Sequence, residues 1–166
     1  FEGVVMSGTP ALRLAWSSLA GCEIREVRGI VNGTTNYILT QMEQDMSYAD
    51  ALAEAQRLGY AEADPAGDVE GYDAAAKALI LANVVMNARL ELSDVERMGI
   101  TTLTRDTIEA ARASGERWKL IGRVTRQADG TVAASVQPLR PAPMIVPSAC
   151  ATSATGCWPV SPENPI

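Results

Sequence analysis

Asp73 and Lys77 stand four residues apart at the head of a segment, Ala74 to Met86, in which only Lys77 and Asn83 are not apolar. That spacing puts both side chains on one face of a helix. A carboxylate beside an ammonium at the edge of an apolar core can hold and transfer a proton: burial weakens the lysine's grip on its proton while the carboxylate strengthens it, which suits proton transfer to an oxygen. A solvated Asp-Lys pair, worth about 0.3 to 0.5 kcal/mol, has the same spacing. The apolar neighbours favour the functional pair, since partly buried charge requires a partner. Glu62, Asp64 and Asp68 come just before. They form either a simple polar loop or a set of oxygen ligands for a divalent cation, without the spacing of an EF-hand. Gly33-Thr34-Thr35 offers free backbone N–H groups to an anion such as a substrate carboxylate, or else an ordinary threonine N-cap.

Other chemistry is excluded by composition. The chain has no histidine, so no imidazole serves as base, nucleophile or metal ligand. Cysteines at 22, 150 and 157 have neither zinc-site spacing nor an even count for a disulfide framework, and a reducing cytoplasm is the expected setting. Gly3 to Gly8 has the glycine spacing of a P-loop, but Thr9 follows where that motif needs Lys, and no G-x-G-x-x-G occurs.

These side chains must be positioned by a small set of elements. Ile24 to Val31 is rich enough in β-branched residues for a strand, ending at Asn32-Gly33. A helix is expected from Thr34-Thr35 through Tyr37, Ile38, Leu39 and Met42, which share one stripe. Ser47-Tyr48-Ala49-Asp50 resembles a capping box that opens a second helix, stopped at Gly59. A loop from Tyr60 to Gly71 leads into a third helix of about 18 residues, the one carrying Asp73 and Lys77. Ser93-Asp94-Val95-Glu96 is a further capping-box pattern, and a fourth helix starts at Thr104 or Thr107 and ends at Gly115. Trp118 to Val124 and Thr131 to Val136 read as strands joined at Ala128-Asp129-Gly130. Strand, helices, then strands predict an α+β fold with a mixed or antiparallel sheet covered by helices.

At 166 residues and 47% hydrophobic the chain can bury one real core. The body is expected over residues 1–137 and an irregular tail over 138–166, where seven of the nine prolines fall and the only charges are Arg140 and Glu163. A net charge of -6 leaves no broad basic surface for nucleic acid or an anionic membrane. Ala74 to Met86 is too short to span a bilayer. Phe1 is not an initiator Met, and the chain reads as the middle of something longer.

The runs Gly29-Ile30-Val31-Asn32-Gly33-Thr34-Thr35-Asn36-Tyr37-Ile38-Leu39, Leu58-Gly59-Tyr60-Ala61-Glu62-Ala63-Asp64-Pro65 and Asp68-Val69-Glu70-Gly71-Tyr72-Asp73-Ala74-Ala75-Ala76-Lys77 together resemble the catalytic core of homoserine dehydrogenase. The resemblance covers about residues 1 to 125. It implies an NAD(P)-dependent enzyme interconverting L-homoserine and L-aspartate 4-semialdehyde on the route to threonine and methionine, and a homodimer whose contact is the sheet of this domain. By position it implies that Lys77 donates the proton to the aldehyde oxygen with Asp73 beside it, and that Glu62 holds the substrate ammonium. Asp68, Thr34, Gly33 and Tyr60 would line the same pocket. It also implies a sodium ion near Glu2, Val5, Ser7 and Thr9, although Met6-Ser7-Gly8-Thr9-Pro10 stands where the family usually has a glycine-rich run. The family's N-terminal Rossmann domain, with its dinucleotide fold and second catalytic lysine, has no counterpart before Phe1. Residues 138–166 resemble nothing in the family, and a frameshift or truncated reading frame would produce such a tail. Those two departures support an alternative: a non-catalytic dimerisation or amino-acid-binding module without its cofactor domain.

Overall fold

The computed structural model describes residues 1–140. Its chain begins with two short helices, α1 (Glu2–Met6) and α2 (Ala11–Arg13), the second continued by a π-helical turn over Leu14–Ser18. Then come β1 (Glu26–Gly29), α3 (Gly33–Glu43), α4 (Tyr48–Arg57), the single turn α5 (Ala66–Val69) and α6 (Tyr72–Val85). A 3-10 turn (Leu92–Asp94) leads to β2 (Val95–Arg97), α7 (Arg105–Ala113), β3 (Lys119–Arg126) and β4 (Val132–Leu139). The strands form one mixed sheet in the order β1-β3-β4-β2. β1 and β4 each pair antiparallel with β3, and β2 runs parallel to β4. The α+β class with a mixed sheet is therefore the observed one.

Alternation along the strands gives the sheet one buried face. Leu120, Val124, Ala134 and Val136 are buried, whereas Arg123 and Ala133 between them are exposed. Across the buried face lies α6, whose Ala74, Ala75, Ala78 and Ala82 are almost wholly inaccessible. Small side chains let the helix come close, and Gly122 of β3 completes the fit: a Cβ there would stand 3.9 Å from that of Ala78 and 3.3 Å from Val31 Cγ2. Ile38, Leu39 and Met42 of α3 and Leu12 of α2 join the same core. No helix among the described residues is long and apolar enough to cross a membrane.

Several boundaries differ from the sequence expectation. β1 is only four residues long: among the described residues it is an edge strand whose sole ladder is to residues 122–125 of β3. α6 runs for 14 residues rather than about 18, and Asn87 just beyond it takes a left-handed φ of 53°. The capping box expected at Ser93 belongs instead to Glu91 and Asp94, where it opens the short 3-10 turn that leads into β2. The expected loop 60–71 contains α5, and α1 and α2 lie where no element was expected. β4 continues to Leu139, past Pro138. The Val136 carbonyl accepts from Met98 N–H on the β2 side, so the nitrogen two residues on points the same way, beyond the end of β2, where no ladder donor is needed. Residues 141–166, most of the expected irregular tail, lie outside the described residues.

Two tight features brace the body. Lys119, only 5% exposed at the start of β3, has its Nζ 3.3 Å from Thr40 Oγ1 and 3.6 Å from Glu43 Oε1 of α3. At Gly99, a Cβ would stand 2.3 Å from the Val69 carbonyl oxygen and 2.5 Å from Glu70 Cα, so the loop after β2 presses directly on the end of α5. Backbone atoms on both sides cannot swing away. Gly99→Ala should therefore destabilise by about 3 kcal/mol, the upper end of overpacking costs. Gly67→Ala, at a helical position with nothing within 4 Å, should be neutral or stabilising. Urea unfolding midpoints of the two variants give the comparison, and equal midpoints would refute it.

Candidate active site

The side chains singled out by spacing converge at one end of α3 and α6. Asn32, in extended backbone, is the N-cap of α3: its Oδ1 accepts from Thr35 N at 2.8 Å. The cap thus precedes Thr34 and Thr35, and Asn32 takes the Thr35 N–H that could have faced an anion. Thr34 Oγ1 donates to the Tyr60 carbonyl at 2.8 Å, tying the start of α3 to the segment after α4. That segment turns at Gly59, φ 77°, and the Tyr60 ring packs on Tyr37 with centroids 5.0 Å apart. Asp64 Oδ1 accepts from Ala66 N at 3.1 Å at the start of α5, which carries Asp68. Gly71, φ 84°, turns the chain into α6, where a left-handed residue is easiest for glycine.

Asp73 and Lys77 lie one turn apart on α6. Lys77 Nζ is 2.7 Å from Asp73 Oδ2 and donates to the Val31 carbonyl at 2.9 Å. The lysine side chain is 18% exposed and the aspartate 37%, so the pair is at the core's edge rather than in free solvent. Asn32 Nδ2 donates to Asp68 Oδ1 at 2.6 Å and to Asp73 Oδ2 at 2.9 Å. A cleft of about 860 Å³ is lined by Gly33, Thr34, Tyr60, Glu62, Asp68, Asp73 and Lys77. All seven residues expected at a substrate site thus face one space. Asn32, Asp64 and Tyr72 line it as well. Four carboxylates (Glu62, Asp64, Asp68, Asp73) against one ammonium make the cleft formally negative, a setting that attracts a cationic group, and Lys77 can donate a hydrogen bond or a proton to a ligand oxygen.

The other expected set does not join this cleft. Glu2 Oε1 accepts from Leu12 N at 2.7 Å and Oε2 from Arg13 N at 3.0 Å. Val5 is a core residue, Ser7 takes a left-handed φ of 52°, and the Thr9 carbonyl accepts from Ala11 N at 2.8 Å. Among the described residues no group of three His, Cys, Asp or Glu is placed to hold a metal ion.

The order and spacing of these residues reproduce a pattern found elsewhere. The family model described as homoserine dehydrogenase matches residues 10–148. This chain belongs to the homoserine dehydrogenase family. A relative in Pseudomonas canavaninivorans, an NAD(+)-dependent homoserine dehydrogenase, is 54% identical over 138 residues, which make up 83% of this chain and 39% of the relative. The crystal structure of a homoserine dehydrogenase from Thiobacillus denitrificans superposes with a TM-score of 0.80 at 38% identity, over 84% of this chain and 32% of that one. A hyperthermophilic archaeal homoserine dehydrogenase mutant in complex with NADPH gives a TM-score of 0.70 at 31% identity, over 87% and 40% of the two chains. This chain therefore spans well under half the length of each of these homoserine dehydrogenases.

Asn32 was the functional candidate that spacing alone did not single out. Its signal was present: an Asn directly before Gly-Thr-Thr is a strong N-cap, and a capped helix start beside an acidic loop places an amide between carboxylates.

Proposed function

We propose that this chain is the substrate-binding and catalytic part of an NAD(P)-dependent enzyme interconverting L-homoserine and L-aspartate 4-semialdehyde. The observation that carries this reading is the Lys77 ammonium seated on Asp73 in an acid-lined cleft with Glu62. Glu62 takes the substrate ammonium, with Asp68, Thr34, Gly33 and Tyr60 shaping the pocket around it. Lys77 gives its proton to the aldehyde oxygen as the carbonyl is reduced, and takes one from the hydroxyl in the reverse direction. Asp73 keeps that ammonium in place and balances its charge. The nicotinamide cofactor, when bound, supplies or accepts the hydride. No residue of this chain is assigned to holding it, since no dinucleotide fingerprint occurs in the sequence. A sodium ion at Glu2, Val5, Ser7 and Thr9 would share the Glu2 carboxylate with the Leu12 and Arg13 N–H groups and the Thr9 carbonyl with Ala11 N–H. No step is routed through it. A homodimer through the exposed face of the sheet accords with the family resemblance.

Calorimetry of the 166-residue chain with L-homoserine and with NADPH separately tests the reading. L-Homoserine should bind and NADPH should not. Glu62→Gln should weaken the amino acid roughly 10- to 100-fold, as expected for the loss of a charged hydrogen bond. Absence of L-homoserine binding by a folded chain would count against the assigned pocket.

A further inference from the structure

The hydrogen bonds around Asn32 exceed what a helix cap requires. The residue is 4% exposed, and its Oδ1 accepts twice from Thr35, from the backbone N at 2.8 Å and from Oγ1 at 2.8 Å. Those two donors fix which end of the amide is oxygen, since the reverse orientation would set an NH2 against an N–H and a carbonyl oxygen against two carboxylates. The Nδ2 end must then face Asp68 and Asp73, and both its hydrogens are used there, at 2.6 and 2.9 Å. The Asp73 oxygen it reaches is Oδ2, the same atom that receives Lys77 Nζ. The second acceptor of Lys77 is the carbonyl of Val31, the residue just before Asn32. Both contacts that hold the ammonium therefore run through the two residues at the entrance to α3.

We propose that Asn32 is a positioning residue: by donating one amide hydrogen to Asp68 and the other to Asp73, it holds two like-charged carboxylates together and sets the oxygen on which the Lys77 ammonium rests. Asp68 is thereby linked to Lys77 without touching it. The catalytic weight of this arrangement rests on the proposed dehydrogenase function, whereas the arrangement itself does not.

The chain contains two lysines, Lys77 and Lys119, so labelling with [15N]lysine yields two ammonium signals. Lys119 lies at the far end of α3, against Thr40 and Glu43, and serves as an internal control. Asn32→Ser keeps an N-cap oxygen but has no amide to bridge the carboxylates. It should fold with a lowered unfolding midpoint, since two hydrogen bonds to carboxylates are lost, speed hydrogen exchange at the Lys77 ammonium roughly tenfold, and leave the Lys119 signal unchanged. An unchanged Lys77 signal in the folded variant would reduce Asn32 to a cap and overturn the proposal. If Asn32→Ser does not fold, the parent chain decides. Couplings through the hydrogen bonds from the Asn32 amide to the Asp68 and Asp73 carboxyl carbons are expected, and their absence would equally overturn it. Neither readout uses homoserine or a cofactor. A chain that showed these signals yet bound no L-homoserine would refute the function while leaving the positioning role intact.

Discussion

Lys77→Ala should lower kcat for reduction of L-aspartate 4-semialdehyde roughly 10²- to 10⁴-fold, the usual loss when a general acid is removed. The assay uses a chain in which the dinucleotide-binding segment of a homoserine dehydrogenase precedes Phe1. Lys77 is held at 2.7 Å by Asp73 and at 2.9 Å by the Val31 carbonyl, so its position does not depend on the ligand, and its loss should fall on kcat more than on KM. Lys77→Arg keeps the positive charge but replaces a transferable proton with a guanidinium that does not release one near neutral pH. It should remain impaired. Full turnover by either variant would remove Lys77 from the proton transfer.

Lys119→Met should lower stability by about 3 kcal/mol, read by urea unfolding. The side chains of Lys119 and Glu43 are 6% and 12% exposed, and removing one partner of a buried ion pair leaves the other charge uncompensated, at a cost of about 3 to 5 kcal/mol. Arg117, 3.8 Å from the other Glu43 oxygen, keeps the loss at the lower end of that range. Replacing both, Lys119→Met with Glu43→Leu, should recover most of it, because a matched apolar pair carries no desolvation penalty. Burial pushes the Lys119 pKa below its ordinary 10.5, partly opposed by Glu43. The folded chain then binds fewer protons at this site than the unfolded chain. Between the lowered value and 10.5, this lysine's contribution to stability rises with pH. Lys119→Met should lose that rise. A single variant as stable as the double one would show that the pair is not acting as a buried unit.

Local signals carried the parts of the fold that depend on one segment. The Asp73 and Lys77 spacing, the apolar run behind it and the Ser47 cap, whose oxygen accepts from Asp50 N, each depend on one helix, and each lies where expected. What depended on distant partners was not legible. β2 is three residues long, too short to show a period, and it exists because Val95 to Arg97 pairs with residues 134–136. β1 shrank to the length of its ladder with β3. Asn32 illustrates the same limit within the site: its capping role is local, but its contacts to Asp68 and Asp73 span 36 and 41 residues.

The sheet order also bears on synthesis. β1 is made early, yet among the described residues its only ladder is to β3, Glu26 with Thr125 and Gly29 with Gly122. By the time the ribosome has made the 3-10 turn after α6, every side chain of the cleft has been synthesised, but the floor beneath that helix has not. The helices must wait, apolar faces uncovered, until β3 and β4 emerge, and closing so long a loop is slow. A chain interrupted between α7 and β3 would contain the whole cleft in its sequence and have nothing on which to assemble it.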